Sequence, residues 1–193
     1  MPIETILPDA TITPHPTWTS NPHIPLQDQS SNFATCAGSN VGNAFTISFG
    51  NLTSDVSAGI NSITFKVAGL VGVTRGVIGV CNFDLKNSSD SSYGYAEDKS
   101  FNDTTLNTLQ AGTTRTTSDG STAWTESDVN GLRMTIKFSS IANSAGSMNL
   151  DFLKIDVDYN AAAAPPTEYN STTNNIHLLS GNINVTSGNV FIE

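Results

Sequence analysis

Apolar and polar residues alternate singly along several short stretches of this chain. Met134, Ile136 and Phe138 alternate with Thr135 and Lys137, and Ile155, Val157 and Tyr159 alternate with Lys154, Asp156 and Asp158. Successive side chains of extended backbone point to opposite faces, so this rhythm predicts half-buried antiparallel strands. It recurs through Phe45, Ile47 and Phe49 and again through Ile63, Phe65 and Val67. Val77-Ile78-Gly79-Val80-Cys81 is continuously apolar before alternation resumes at Phe83 and Leu85, which predicts a central strand covered on both sides. Leu106, Leu109 and Ala111 begin a further strand, and the Thr-rich run after it ends in a turn. In the last strand the apolar phase slips between Phe152 and Leu153, the mark of a bulge.

Between the strands, Pro14–Ser31 reads as a long loop or edge segment and Asn87–Thr104 as turn-rich chain. Thr125, with Asp128 three residues on, has the layout of a capping box for one helical turn carrying Val129 and Leu132. Many short strands, turn signals and no helix of three turns predict an all-β fold, an antiparallel β-sandwich or jelly roll. That domain spans residues 1–160, and Ala161 to Pro166 reads as an Ala/Pro linker. Residues 167–193 form a short β-forming tail with an internal echo, Ser180-Gly-Asn-Ile183 and Ser187-Gly-Asn-Val190. Ile183, Val185, Val190, Phe191 and Ile192 would make a hairpin too small to stand alone in water, so partner docking is their expected role.

Charge narrows the partners. With 8 basic against 17 acidic residues and a net charge of −9, the chain lacks the clustered Lys and Arg that nucleic acid requires. No run approaches the ~18 apolar residues of a membrane helix. The opening M-P-I-E-T-I-L-P-D has neither a basic start nor an apolar core segment, so cytoplasmic synthesis and folding are expected. Charged residues make up only 13% of the chain, and Ser, Thr and Asn take their place on the surface. Cys36 and Cys81 admit one disulfide, but cytoplasmic folding and the in-phase position of Cys81 favour a small core residue.

The stretch A-W-T-E-S-D-V-N-G-L-R-M-T-I-K-F, followed by a final strand ending I-D-V-D-Y, resembles a β-sandwich module of bacteriophage virion structural proteins, also found in some bacterial surface proteins. The opening from Pro8-Asp9 to Trp18-Thr19 is comparable with the start of that module. The resemblance covers the layout of residues 5–160, is specific only in the last third, and omits the tail. It implies an architectural, non-enzymatic role: Trp124 as a core plug, Asp128 as a cap, Tyr159 closing the last strand. It further implies a virion-surface protein assembled in the host cytoplasm, most simply a capsid decoration or cement protein, or else a tail or fibre component. The expected partners are other virion proteins, a major capsid or tail protein, and further copies of the chain.

Candidate chemistry is sparse. His15, His23 and His177 lie in Pro-rich or tail segments, and no nucleophile elbow, zinc-binding helix or phosphate loop is present, so no catalytic residue is assigned. No cofactor is expected beyond Ca2+, which Asp90, Glu97, Asp98 and Asp103 could hold if their loop gathered enough oxygens. The competing reading of that loop is a solvated turn, and Asp151, Asp156 and Asp158 read as the solvated face of the last strand. The rival function is a carbohydrate-binding adhesin recognising host or matrix glycans on Trp18, Tyr93 and Tyr95. Against it stands the packing of those rings over the sandwich edge.

Overall fold

The alternating stretches pair into two antiparallel sheets. The computed structural model describes residues 1–29, 32–72, 77–102, 108–143 and 145–162. Met1–Ala162 forms one compact unit, and residues 163–193 lie outside the described residues. The strands are β1 (Ile3–Ile6), β2 (Pro8–Thr13), β3 (Ala34–Ala37), β4 (Ala44–Phe49), β5 (Ile60–Val71), β6 (Gly79–Lys86), β7 (Glu97–Phe101), β8 (Gln110–Ala111), β9 (Arg133–Ile141) and β10 (Ser147–Tyr159). A single helical turn, α1 (Glu126–Asn130), leads into β9.

One sheet runs β1-β10-β5-β8, with β3 also pairing β10; the other runs β2-β4-β9-β6-β7. The architecture is therefore all-β and sandwich-like, with the inner face of each sheet supplying the core. Phe65 of β5 stacks on Phe83 of β6 with ring centroids 5.4 Å apart, and Phe83 meets Phe101 edge-on at 6.5 Å. Farther along, Trp18 packs edge-on against Phe45 at 4.7 Å and Phe138 at 6.5 Å. Each fully buried ring removes enough apolar surface from water to be worth about 1.5–3 kcal/mol. Phe65 on Phe83 joins the two layers, as does Trp18, which bridges Cys36 of β3 in the first sheet while packing on Phe45 and Phe138 of the second.

The N-terminal run belongs to both sheets. Its apolar positions change face at Leu7, whose carbonyl accepts from Gly50 N at 2.9 Å. Pro8 then opens β2, where a residue without an N–H is tolerated on an edge. The loop that follows contributes Trp18 and Leu26 to the core, so its Pro-rich composition conceals two anchors.

The bulge in β10 falls one residue earlier than the apolar phase suggests. Pairing with β5 shifts between Leu150 and Phe152, leaving Asp151 as the extra, buried residue. Gly69 stands opposite, where a Cβ would lie 2.7 Å from the Asn149 carbonyl oxygen. Only a glycine lets the two strands approach this closely.

Three other expectations change. The run at residues 77–85 is not covered on both faces: Ile78 precedes β6 and is 52% exposed, and within β6 the outward Val80, Asn82 and Asp84 are only half-buried. The turn-rich segment conceals strand β7, whose Glu-Asp-Lys-Ser composition masks a single inward anchor, Phe101. β8 is only Gln110–Ala111, Leu109 is 38% exposed, and Leu106 lies outside the described residues. After β8 the chain continues beside β5, with Arg115 N and O exchanging hydrogen bonds with Ile63 at 2.9 Å each.

Candidate binding face

The residues that could carry chemistry are mostly committed to one another. Trp18 is 4% exposed, and its Nε1–H donates to Asn43 O at 3.4 Å. A ring so enclosed cannot serve as a sugar platform, so it leaves the glycan set. Tyr93 packs edge-on against Trp124 at 5.1 Å and donates its hydroxyl to Asp128 Oδ1 at 3.4 Å. Burial, with the adjacent Asp128 charge and hydrogen bond, pushes the Tyr93 phenol up to about 12. Tyr95 donates to Thr117 O at 2.9 Å, and the Arg115 guanidinium covers its ring at 4.4 Å. Both tyrosines pack over the sandwich edge and offer no free pair of aromatic faces.

The proposed calcium loop does not assemble. Asp90 lies in the left-handed region at φ 61° and pairs with Arg133 Nη1 at 2.9 Å. Glu97 binds Lys99 at 3.1 Å and accepts from Thr113 N at 2.8 Å, while Asp98 accepts from Asn82 Nδ2 at 2.8 Å. Asp103 lies outside the described residues. Among the described residues no three His, Cys, Asp or Glu side chains gather where they could hold a metal ion. The strands explain this: Glu97 and Asp98 are neighbours in β7 and point to opposite faces.

The architectural residues have defined surroundings. Trp124 is 3% exposed and donates Nε1–H to Arg115 O at 3.0 Å. Thr125 and Asp128 close a reciprocal capping box on α1. Tyr159 is half-buried at the end of β10, with its N–H on Pro2 O at 3.3 Å. Cys36 and Cys81 are both buried free thiols. Burial pushes the Cys81 thiol well up, and Cys36 and Asp98 push it further in the same direction. Ile183, Val185, Val190, Phe191, Ile192 and His177 lie outside the described residues.

The feature that sequence reasoning missed is the outer face of the first sheet. Strand register places Thr5 beside Asp156, Thr64 beside Asp156, and Ser62 beside Asp158. A shallow hollow of about 370 Å³ on this face is lined by Ile3 of β1, Asp156 and Asp158 of β10, Ser62 and Thr64 of β5, and Thr114 beyond β8. At one end Lys66 and Lys154 hold the two oxygens of Asp156 at 2.8 and 2.9 Å, and Thr5 Oγ1 donates to it at 2.8 Å. Burial works to raise the Asp156 pKa, but those hydrogen bonds and the Lys154 charge hold it below the ordinary carboxylate value. The Thr64 and Thr114 hydroxyls meet at 2.8 Å in the middle. Gly112 lets the chain lie flat here, since a Cβ would come within 2.2 Å of the Phe65 ring. The signal was present as polar residues in β5 and β10, but without the register they are indistinguishable from a solvated face.

No family model, curated protein or solved structure matches this chain.

Proposed function

We propose that the chain is a non-enzymatic structural protein of a bacteriophage virion, acting as a decoration or cement protein on the head surface. The observation that carries this reading is the pairing order. Taking β1, β4, β5, β6, β7, β8, β9 and β10 as strands one to eight, first pairs with eighth, second with seventh, third with sixth and fourth with fifth. That order supports the finer description of the fold as a jelly roll, an architecture that recurs in viral capsid proteins. The A-W-T-E-S-D-V-N-G-L stretch points the same way. It builds Trp124 into the core and Thr125–Asp128 into a cap, which are architectural tasks.

The experiment is quantitative mass spectrometry of purified virions, with immunogold electron microscopy to place the protein. A decoration role requires a copy number comparable with that of the major shell protein and label over the head. Label confined to the tail reassigns the chain to a tail or fibre component. Absence from washed particles overturns the reading altogether. Deletion of residues 167–193, the expected docking tail, should reduce occupancy on the shell.

A further inference from the structure

We infer that the hollow on the outer face of the first sheet is a binding site for a neutral oligosaccharide. The inference does not rest on the virion reading, and its location differs from the tyrosine loop considered from the sequence. Three features select the ligand chemistry.

The first is charge. Lys66 and Lys154 pair with Asp156 at 2.8 and 2.9 Å, and the nearby Asp158 cancels the one positive charge that this trio leaves over. The site therefore carries little field to attract an ion, and a phosphate or uronate would meet a carboxylate. The second is unspent hydrogen bonding. Among the described residues, Ser62 Oγ and Asp158 Oδ2 have no protein partner, because Asn61 reaches only Asp158 Oδ1, at 3.3 Å. Lys66 Nζ uses one donor of three on Asp156, and the Thr64–Thr114 pair leaves one hydroxyl proton unspent. The hollow thus offers both free donors and free acceptors, and sugar hydroxyls can pair with either. The third is the position on a sheet face. Backbone groups of β5 and β10 are engaged in their ladders, so a peptide could not add as a strand there. Ile3, 64% exposed at one rim, gives an apolar surface for the C–H face of a sugar ring.

The test is titration of the 15N-labelled full chain with maltohexaose, cellohexaose, mannohexaose and xylohexaose, followed by NMR. At least one probe should bind saturably at about 1 mM or tighter. Amide shifts should centre on Ser62, Thr64, Lys66, Thr114 and Asp156. Thr64→Lys, which fills the middle of the hollow, should weaken that binding at least tenfold, and Ser62→Gln should do the same if the lysine variant fails to fold. The Tyr93→Ala/Tyr95→Ala double variant should leave the affinity unchanged. No saturable binding by any of the four probes, binding indifferent to both hollow substitutions, or binding lost only in the tyrosine variant would each overturn the proposal.

Discussion

The capping box at α1 gives the most tightly posed prediction. Asp128 Oδ2 accepts from Thr125 N at 3.0 Å and from Thr125 Oγ1 at 2.6 Å, and Thr125 Oγ1 accepts from Asp128 N at 3.1 Å. Asp128→Ala removes the Oδ2 acceptor of both Thr125 bonds, the Oδ1 acceptor of the Tyr93 hydroxyl and a first-turn negative charge. Losing a cap of this kind costs about 0.5–2 kcal/mol, and losing the charge near the helix start about 0.3–1 kcal/mol. Thr125 is exposed, so water recovers part of that loss, and a net destabilisation of about 1 kcal/mol is expected. With a urea slope of about 2 kcal/mol/M, the midpoint should fall by about 0.5 M. Trp124, buried next to Thr125, provides the fluorescence signal. Because both residues serve the same box, Thr125→Ala and Asp128→Ala should be strongly non-additive: the double variant should cost little more than either single one. Additive losses, or an Asp128→Ala loss below about 0.3 kcal/mol, would refute the reasoning.

The remaining predictions concern other parts of the fold. Gly69→Ala places a Cβ 2.7 Å from the fixed Asn149 carbonyl and should destabilise by about 1–3 kcal/mol. Gly79→Ala meets side chains rather than backbone, the flexible end of Met148 at 2.5 Å and Val71 Cγ2 at 2.9 Å, and should cost less; the reverse order in a thermal melt would contradict the packing described. Tyr93 holds its proton more tightly when folded, with a pKa raised from 10 to about 12. Its contribution to stability is therefore complete below pH 10 and is lost as pH rises toward 12, and Asp128→Asn should bring its ultraviolet titration back toward 10. Deleting residues 167–193 should leave the urea midpoint of the sandwich unchanged, and a truncated chain that fails to fold would show that the tail completes the core.

The strands that the chain announced share a property: two or three large apolar residues at strict alternation, as in Phe45-Ile47-Phe49 and Met134-Ile136-Phe138. β7 lacked it because Phe101 is its sole inward anchor, and its charges read equally well as a solvated loop. The bulge was visible as a slip of phase, but its location at Asp151 depends on which β5 residue it faces. Trp18 shows the opposite failure. Its loop looks polar and Pro-rich, yet a tryptophan there is drawn into the gap between the sheets beside Phe45. The hollow on the outer face was illegible for a topological reason. Its residues come from strands far apart in the chain, and neither the sheet order nor the register can be read from residue types alone.

The pairing of β1 with β10 bears on how the protein is made. Thr5 and Asp156 are 151 positions apart, yet they bond across neighbouring strands. Contacts of such high sequence separation make folding slow, because a long loop must close before they form. During translation β1 must wait beside the ribosome, unpaired, until its partner has cleared the exit tunnel. The sheet therefore closes only after β10 has been made, and a polypeptide truncated before β10 is left with Ile3 and Ile6 on an unzipped edge, where proteases and chaperones will find it.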